Sequence, residues 1–294
     1  MSHFVVIVVT QDGEDWEDLL APYCENLEVS AWWEDSDSYT EADILELVDT
    51  FEGVARQLVG EERLQVAVAC ANERDDTDYP EYRIHQGRLQ NLTTYNPDSK
   101  WDWYSMGGRW TGYFPVRIEA LADEASRLGE GGFFGTDPKP GCMDQTRKGF
   151  IDFEKAKDDV EAGALEEWEK WAAALKVHPK PESWANVSTK LFPGDTQKAR
   201  NFFGEQPAVK AVNSYGCPVE HFGFDKEAYL QQQRQSALMP YAVLDSDGWH
   251  SHGDMGWFGM SKENMTDAEW STQVNKMFDS LPDNAVLNCV DCHT

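Results

Sequence analysis

The chain opens on an unbroken apolar run, Phe4-Val5-Val6-Ile7-Val8-Val9, which predicts a buried strand over 3–9. An acidic loop or short helix follows at 12–21. Over 41–59, Ile44, Val48, Phe51, Ala55 and Leu58 recur at helical spacing, with Asp43, Glu46 and Asp49 on the opposite face. That pattern predicts an amphipathic helix whose outer face carries closely spaced carboxylates. The apolar run Leu64 to Cys70 predicts a second buried strand. Residues 72–100 are polar and turn-rich, with Pro80 and Pro97. A short helix is expected at 118–128, and the Gly-rich stretch 129–150 is irregular. A long charged helix is expected at 151–176 and several shorter ones between 184 and 235. The run 240–244 reads as a strand. Residues 266–281 read as a helix with Ser or Thr capping chemistry at its start, and 285–290 as a last strand.

Strands therefore sit at both ends of the chain and helices in the middle. The expected fold class is α+β, with a mixed or antiparallel sheet assembled from the two chain ends and a mainly helical middle insertion. The expected organisation is a core from 1–120 plus 236–294, with 121–235 as a helical insertion or subdomain.

Charge changes this picture most. The 294 residues hold 53 acidic and 25 basic side chains, a net charge of -28. The imbalance is concentrated, because residues 1–55 contain no Lys or Arg. Such a surface repels nucleic acid and anionic membranes and attracts basic proteins or cations. Three readings of the 41–59 face stand side by side, one of them cation binding. Another is a solvated face that keeps the protein soluble. The third is a surface imitating a nucleic-acid backbone. Disorder is excluded as a reading of the whole chain, since 12 Trp, 14 Phe and 10 Tyr supply core area. No apolar run reaches the length of a membrane span. The N-terminus lacks a basic n-region and a small-residue cleavage site, and six sparse cysteines suit reduced thiols. The expected location is the cytoplasm.

Three motifs offer chemistry. Cys289-Val290-Asp291-Cys292-His293 spells a covalent haem motif. Strand periodicity, however, puts Cys289, Asp291 and His293 on one face and Cys292 on the other, so two thiols cannot meet one porphyrin edge. Metal binding by Cys289, Asp291 and His293 on their shared face is one alternative, and the favoured reading is a strand end with buried thiols. His250, His252 and Asp254 alternate and would converge on a divalent metal if the backbone were extended. Otherwise they belong to a hairpin tip announced by Ser246-Asp247-Gly248. The block from Trp101 to Phe114 surrounds Gly107-Gly108-Arg109 with aromatics. The glycines suit a tight turn or a close backbone approach, and Arg109 suits a carboxylate, a phosphate or an indole. The rival reading is a hairpin whose aromatics fill the core. No phosphate-gripping loop and no G-x-S-x-G elbow is present, and no cofactor is implied beyond that metal.

The segments Met1-Ser2-His3-Phe4, Tyr95-Asn96-Pro97-Asp98-Ser99-Lys100-Trp101-Asp102-Trp103-Tyr104, Gly107-Gly108-Arg109-Trp110, Gly256-Trp257-Phe258-Gly259-Met260 and Val290-Asp291-Cys292-His293 carry a resemblance. Together they resemble a family of uncharacterised proteins of tailed bacteriophages and related mobile elements. The resemblance implies a setting, an infected bacterium, and no catalytic residue. The function expected from setting and charge is a phage accessory protein that binds and inhibits a host defence complex handling nucleic acid. Its partner would be a host protein with a basic surface. The contact residues would be Trp32, Trp33, Asp43, Glu46, Asp49, Trp101, Trp103, Arg109 and Trp110. No direct nucleic-acid or membrane contact is expected, and self-association is left open. The alternatives are a metal-dependent enzyme acting on a nucleotide or defence signal through His250, His252 and Asp254, or a virion or housekeeping component of the phage.

Overall fold

The computed structural model of the chain describes residues 2–11, 13–35, 61–73, 81–129, 139–212, 217–255 and 261–294. The helix expected over 41–59, and with it Asp43, Glu46 and Asp49, lies outside them.

In chain order, strand β1 (His3–Thr10) and the short helix α1 (Trp16–Leu20) precede β2 (Trp32–Asp35), helix α2 (Glu61–Asn72), β3 (Tyr82–His85), β4 (Arg88–Thr93) and β5 (Trp103–Met106). Next come β6 (Phe114–Pro115), β7 (Cys142–Met143), β8 (Gln145–Arg147) and the long helix α3 (Phe153–Val177). After a helical turn at Trp184–Asn186 and a π-helical turn at Val187–Leu191 come α4 (Thr196–Glu205), α5 (Pro207–Val212), α6 (Pro218–Phe222) and α7 (Lys226–Gln235). The chain then forms β9 (Ala242–Asp245), β10 (Gly248–Ser251), β11 (Gly253–Met255), β12 (Ser261–Glu263), helix α8 (Asp267–Ser280) and β13 (Val286–His293). It divides into two units, Met1–Leu20 with Trp103–Thr294, and Ala21–Asp102.

The first unit is built on a mixed sheet of order β10-β9-β1-β13-β5, with β8 also on β13. β1 and β9 run parallel and the other pairs antiparallel. The fold is α+β, and its central strands come from the two ends of the chain. β1 and β13 pair over their full length, from His3 opposite His293 to Thr10 opposite Val286. Alternation then sorts the faces. Val5, Ile7, Val9, Leu287 and Cys289 share one core cluster with Phe114, Ile151 and the α8 residues Trp270, Val274 and Phe278. Trp270 is fully buried, and its indole N–H donates to the Pro240 carbonyl at 2.7 Å. Phe4, Val6 and Val8 point to the other face, where α1 brings Trp16 edge-on to Tyr104 at 5.5 Å.

The capping chemistry expected near 266 is present. Thr266 accepts from the Glu269 N–H, and the Glu269 carboxylate accepts from the Thr266 N–H at 2.9 Å. The Thr266 N–H, and after it the Thr266 hydroxyl at 2.8 Å, donate to the Glu269 carboxylate and hold it below its ordinary value. Thr266→Ala is expected to lower stability by about 1 kcal/mol, read from the urea midpoint. An unchanged midpoint would mean the cap adds nothing to α8.

The helical middle has its own core. Ala164, Trp168 and Trp171 recur along one stripe of α3 and pack against Ala199, Val219, Phe222, Tyr229 and Leu230. Trp168 stacks on Tyr229 and Trp171 on Phe222, with centroids 5.6 and 5.8 Å apart. The expected helix at 118–128 is shorter, a single 3-10 turn at Ile118–Ala122.

In the second unit, β2, β4 and β3 form an antiparallel sheet. The run 64–70, expected as a strand, is part of α2. Leu64, Ala67 and Val68 are buried, at i, i+3 and i+4, so helical spacing overrides the apparent apolar run. Asn72 ties the helix end to the sheet, donating to the Tyr82 carbonyl at 2.7 Å and accepting from its N–H at 2.8 Å. Among the described residues no helix is long and apolar enough to cross a membrane.

Candidate functional site

The Gly107-Gly108-Arg109-Trp110 segment leaves β5 and turns back as a 3-10 turn. Gly107 has φ 71° and Gly108 φ 50°, conformations that favour glycine. Space reinforces conformation. A Cβ on Gly107 would lie 2.6 Å from Cγ of Asp144, and one on Gly108 2.7 Å from Cγ of Asp291. The expected turn and the expected close approach are therefore both present, and two buried carboxylates make the approach.

Both carboxylates are occupied by this turn and its surroundings. Asp144 accepts from the N–H groups of Gly112 at 2.6 Å, Gly129 at 2.8 Å and Tyr113 at 3.3 Å, and from the Thr111 hydroxyl at 3.2 Å. Asp291 accepts from the Arg109 N–H at 2.9 Å, and its other oxygen is 2.9 Å from Nδ1 of His3. A buried carboxylate is expensive unless hydrogen bonds replace its water, and here backbone donors do most of that. The result is a rigid loop with the Arg109 side chain exposed and Trp110 half-buried against the core. Burial pushes the Tyr113 phenol well above its ordinary value, with Cys289 adding to the shift, so the phenol stays protonated.

The terminal C-x-x-C-H sits inside the sheet. Cys289 lies opposite Ile7 and Cys292 opposite Phe4, so the two thiols face opposite sides. Burial pushes both thiols well above the usual cysteine range, with the neighbouring carboxylates adding to it. Native protein is expected to protect Cys289 and Cys292 from iodoacetamide at pH 8, with labelling after denaturation when read by peptide mass spectrometry. Rapid native labelling of either would contradict this burial. Asp291 and His293 do share the Cys289 face, as strand periodicity requires. His3 joins them from β1, with its ring 5.1 Å from His293 in edge contact. His3 escaped the sequence reading because its neighbours depend on the register of β1 against β13.

His250, His252 and Asp254 go to three different partners. His250 Nε2 is 3.2 Å from Asp245 across the β9–β10 hairpin, and His252 Nε2 is 3.4 Å from Asp267 at the start of α8. Asp254 is exposed and accepts from the Asn264 amide at 3.4 Å. The chain bends at His252 between β10 and β11, which removes the extended backbone that convergence needs. Among the described residues no group of three or more His, Cys, Asp or Glu side chains is placed to hold a metal ion.

The remaining sequence candidates separate. Trp101 is buried, which withdraws it from any contact surface, whereas Trp103 on β5 is 46% exposed. Trp32 and Trp33 are half-buried on β2. Trp32 donates to the Tyr95 carbonyl at 2.9 Å, and the Arg83 guanidinium lies 4.4 Å over the Trp33 ring. No family model, no curated protein and no solved structure matches this chain.

Proposed function

We propose that this chain is an acidic binding protein whose partner presents a basic surface, in the setting of a phage protein acting on a nucleic-acid-handling defence complex of the host cytoplasm. One observation carries the reading: 53 acidic against 25 basic side chains, with no Lys or Arg across residues 1–55. A field of that sign steers basic proteins toward the chain and speeds encounter at low salt. Glu14, Asp15, Glu17 and Asp18 around α1 are exposed and contribute to this charge, as do Asp247, Asp254, Glu263, Asp267 and Glu269. Trp103, with its large exposed ring, and the half-buried Trp32 and Trp33 supply apolar contact area.

The test is affinity capture from a bacterial lysate at low and at high salt, followed by competition with duplex DNA. The reading expects a nucleic-acid-binding protein retained at low salt, released at high salt, and displaced by duplex. Capture of no basic or nucleic-acid-binding protein at any ionic strength overturns it. So does a partner that holds this chain and duplex DNA together without competition.

A further inference from the structure

The helical middle reverses the sign of the chain. Residues 176–212 hold six Lys or Arg against three Asp or Glu, where the whole chain holds 25 against 53. Two of those carboxylates are matched within the segment, Asp195 by Lys198 at 2.9 Å and Glu205 by Lys210. Glu182 remains, and Glu220 reaches in from α6 to accept from the Ala185 N–H at 3.2 Å. Against them stand Lys176, Lys180, Lys190 and Arg200, all exposed and none in an ion pair among the described residues. Lys180 lies 3.8 Å over the Phe224 ring. The residues that follow the segment, Asn213-Ser214-Tyr215-Gly216, carry no charge.

Apolar surface lies among these cations. The π-helical turn at Val187–Leu191 is closed by the Phe192 N–H, which donates to the Val187 carbonyl at 2.9 Å. Such turns are rare and recur at functional sites. Val187 is buried, while Lys190 is exposed and Leu191 is 47% exposed. The Phe192 ring is 5.4 Å from that of Phe202 on α4. Phe202 is 41% exposed, on the face of α4 that carries Lys198 one turn before it. Lys190, Leu191, Phe192, Lys198 and Phe202 thus form a contiguous basic and aromatic surface, with Arg200 on the same helix.

Apolar side chains ringed by cations suit an acidic protein surface. The chain itself displays one. Glu14, Asp15, Glu17 and Asp18 are exposed around α1, and residues 1–55 contain no Lys or Arg. Nucleic acid fits less well, because a long polyanion runs past so small a basic surface onto the carboxylates beyond it. Two copies also repel at long range, each with a charge of -28. Salt screens charges beyond about 8 Å at physiological ionic strength, so the facing surfaces decide.

We infer that this surface docks a second copy of the chain. Lys190 and Arg200 of one copy face the carboxylates around α1 of the other, with Leu191 and Phe202 as apolar anchors. The two faces differ, so the contact is head-to-tail. It goes beyond the proposed host partner and stands without one.

Sedimentation velocity over a range of protein concentrations, at physiological ionic strength, tests this with the chain alone. Two double variants reverse one face each: Lys190→Glu with Arg200→Glu, and Glu14→Lys with Asp18→Lys. All four side chains are exposed, and unchanged melting temperatures verify the fold. Wild type is expected to associate as concentration rises, and each variant alone to associate about tenfold more weakly. An equimolar mixture of the two variants should regain association, because each then meets a face of opposite charge. Wild type that stays monomeric overturns the inference. So does unchanged association in either variant, or a mixture that regains nothing. A duplex oligonucleotide forms the last arm. Binding by wild type that is lost in the Lys190 and Arg200 variant, without self-association, would give the surface to nucleic acid and overturn the inference as well.

Discussion

Gly108→Ala is expected to destabilise the protein by about 3 to 5 kcal/mol, among the largest effects a single methyl can have. Two causes act together. The backbone at Gly108 sits at φ 50°, where a side chain costs roughly 1–2 kcal/mol. The new Cβ would also lie 2.7 Å from Cγ of Asp291, a carboxylate that cannot retreat without losing the Arg109 N–H and the His3 ring. Displacing a buried charge from its donors accounts for the larger share. Gly163→Ala in α3 is the contrast. Its Cβ meets nothing within 4 Å, so that change is expected to stabilise by about 0.5–1 kcal/mol. Guanidinium unfolding of both variants decides the matter. A loss below about 1 kcal/mol at Gly108 would show that Asp291 does not hold the turn as described.

The second large effect is at Asp144. Asp144→Ala strands three backbone N–H groups and a hydroxyl in a buried region, for an expected loss of about 3–5 kcal/mol. Asp144→Asn keeps the volume but turns an amide N–H₂ toward those donors, so it is expected to recover only part of the loss. Hydrogen exchange localises the effect. The Gly112 and Gly129 amides should exchange far faster in either variant, while the amides of α7 stay protected. Uniform loss of protection would assign Asp144 to global stability and remove it as the specific holder of this loop.

What was legible in the sequence was local. The apolar opening run, the long charged helix α3, the capping signal before α8 and the Ser246-Asp247 turn each carry their signal within a few residues, and each became the expected element. The α2 segment misled because Val-Ala-Val-Ala-Cys is apolar without a break. Only the buried set Leu64, Ala67 and Val68 shows the helical period. The Gly107-Gly108 pair signalled a close approach but not what approaches. Asp144 and Asp291 lie far along the chain, and nothing local pairs a glycine with a distant carboxylate. The alternating His250, His252 and Asp254 suggested convergence, which the bend at His252 undoes. Local pattern predicts elements, whereas sites made by register and long-range contact appear only once the sheet is assembled.

The pairing of β1 with β13 also sets the order in which this protein is built during synthesis. Asn288 and Val8, bonded to each other in the sheet, are 280 residues apart, and closing such a loop costs roughly 5 kcal/mol by ideal-chain scaling. β1 leaves the ribosome well ahead of its antiparallel neighbour, with the helical middle made between them. In that interval Phe4-Val5-Val6-Ile7-Val8-Val9 is a β-branched segment with at least one bare edge, the kind that pairs with other chains. A nascent chain stalled before residue 286 therefore carries an open strand through most of its life, and yield in expression should follow how quickly β13 is delivered. By pairing with β1 over its full length, β13 covers that edge, and it is made long after the strand it covers.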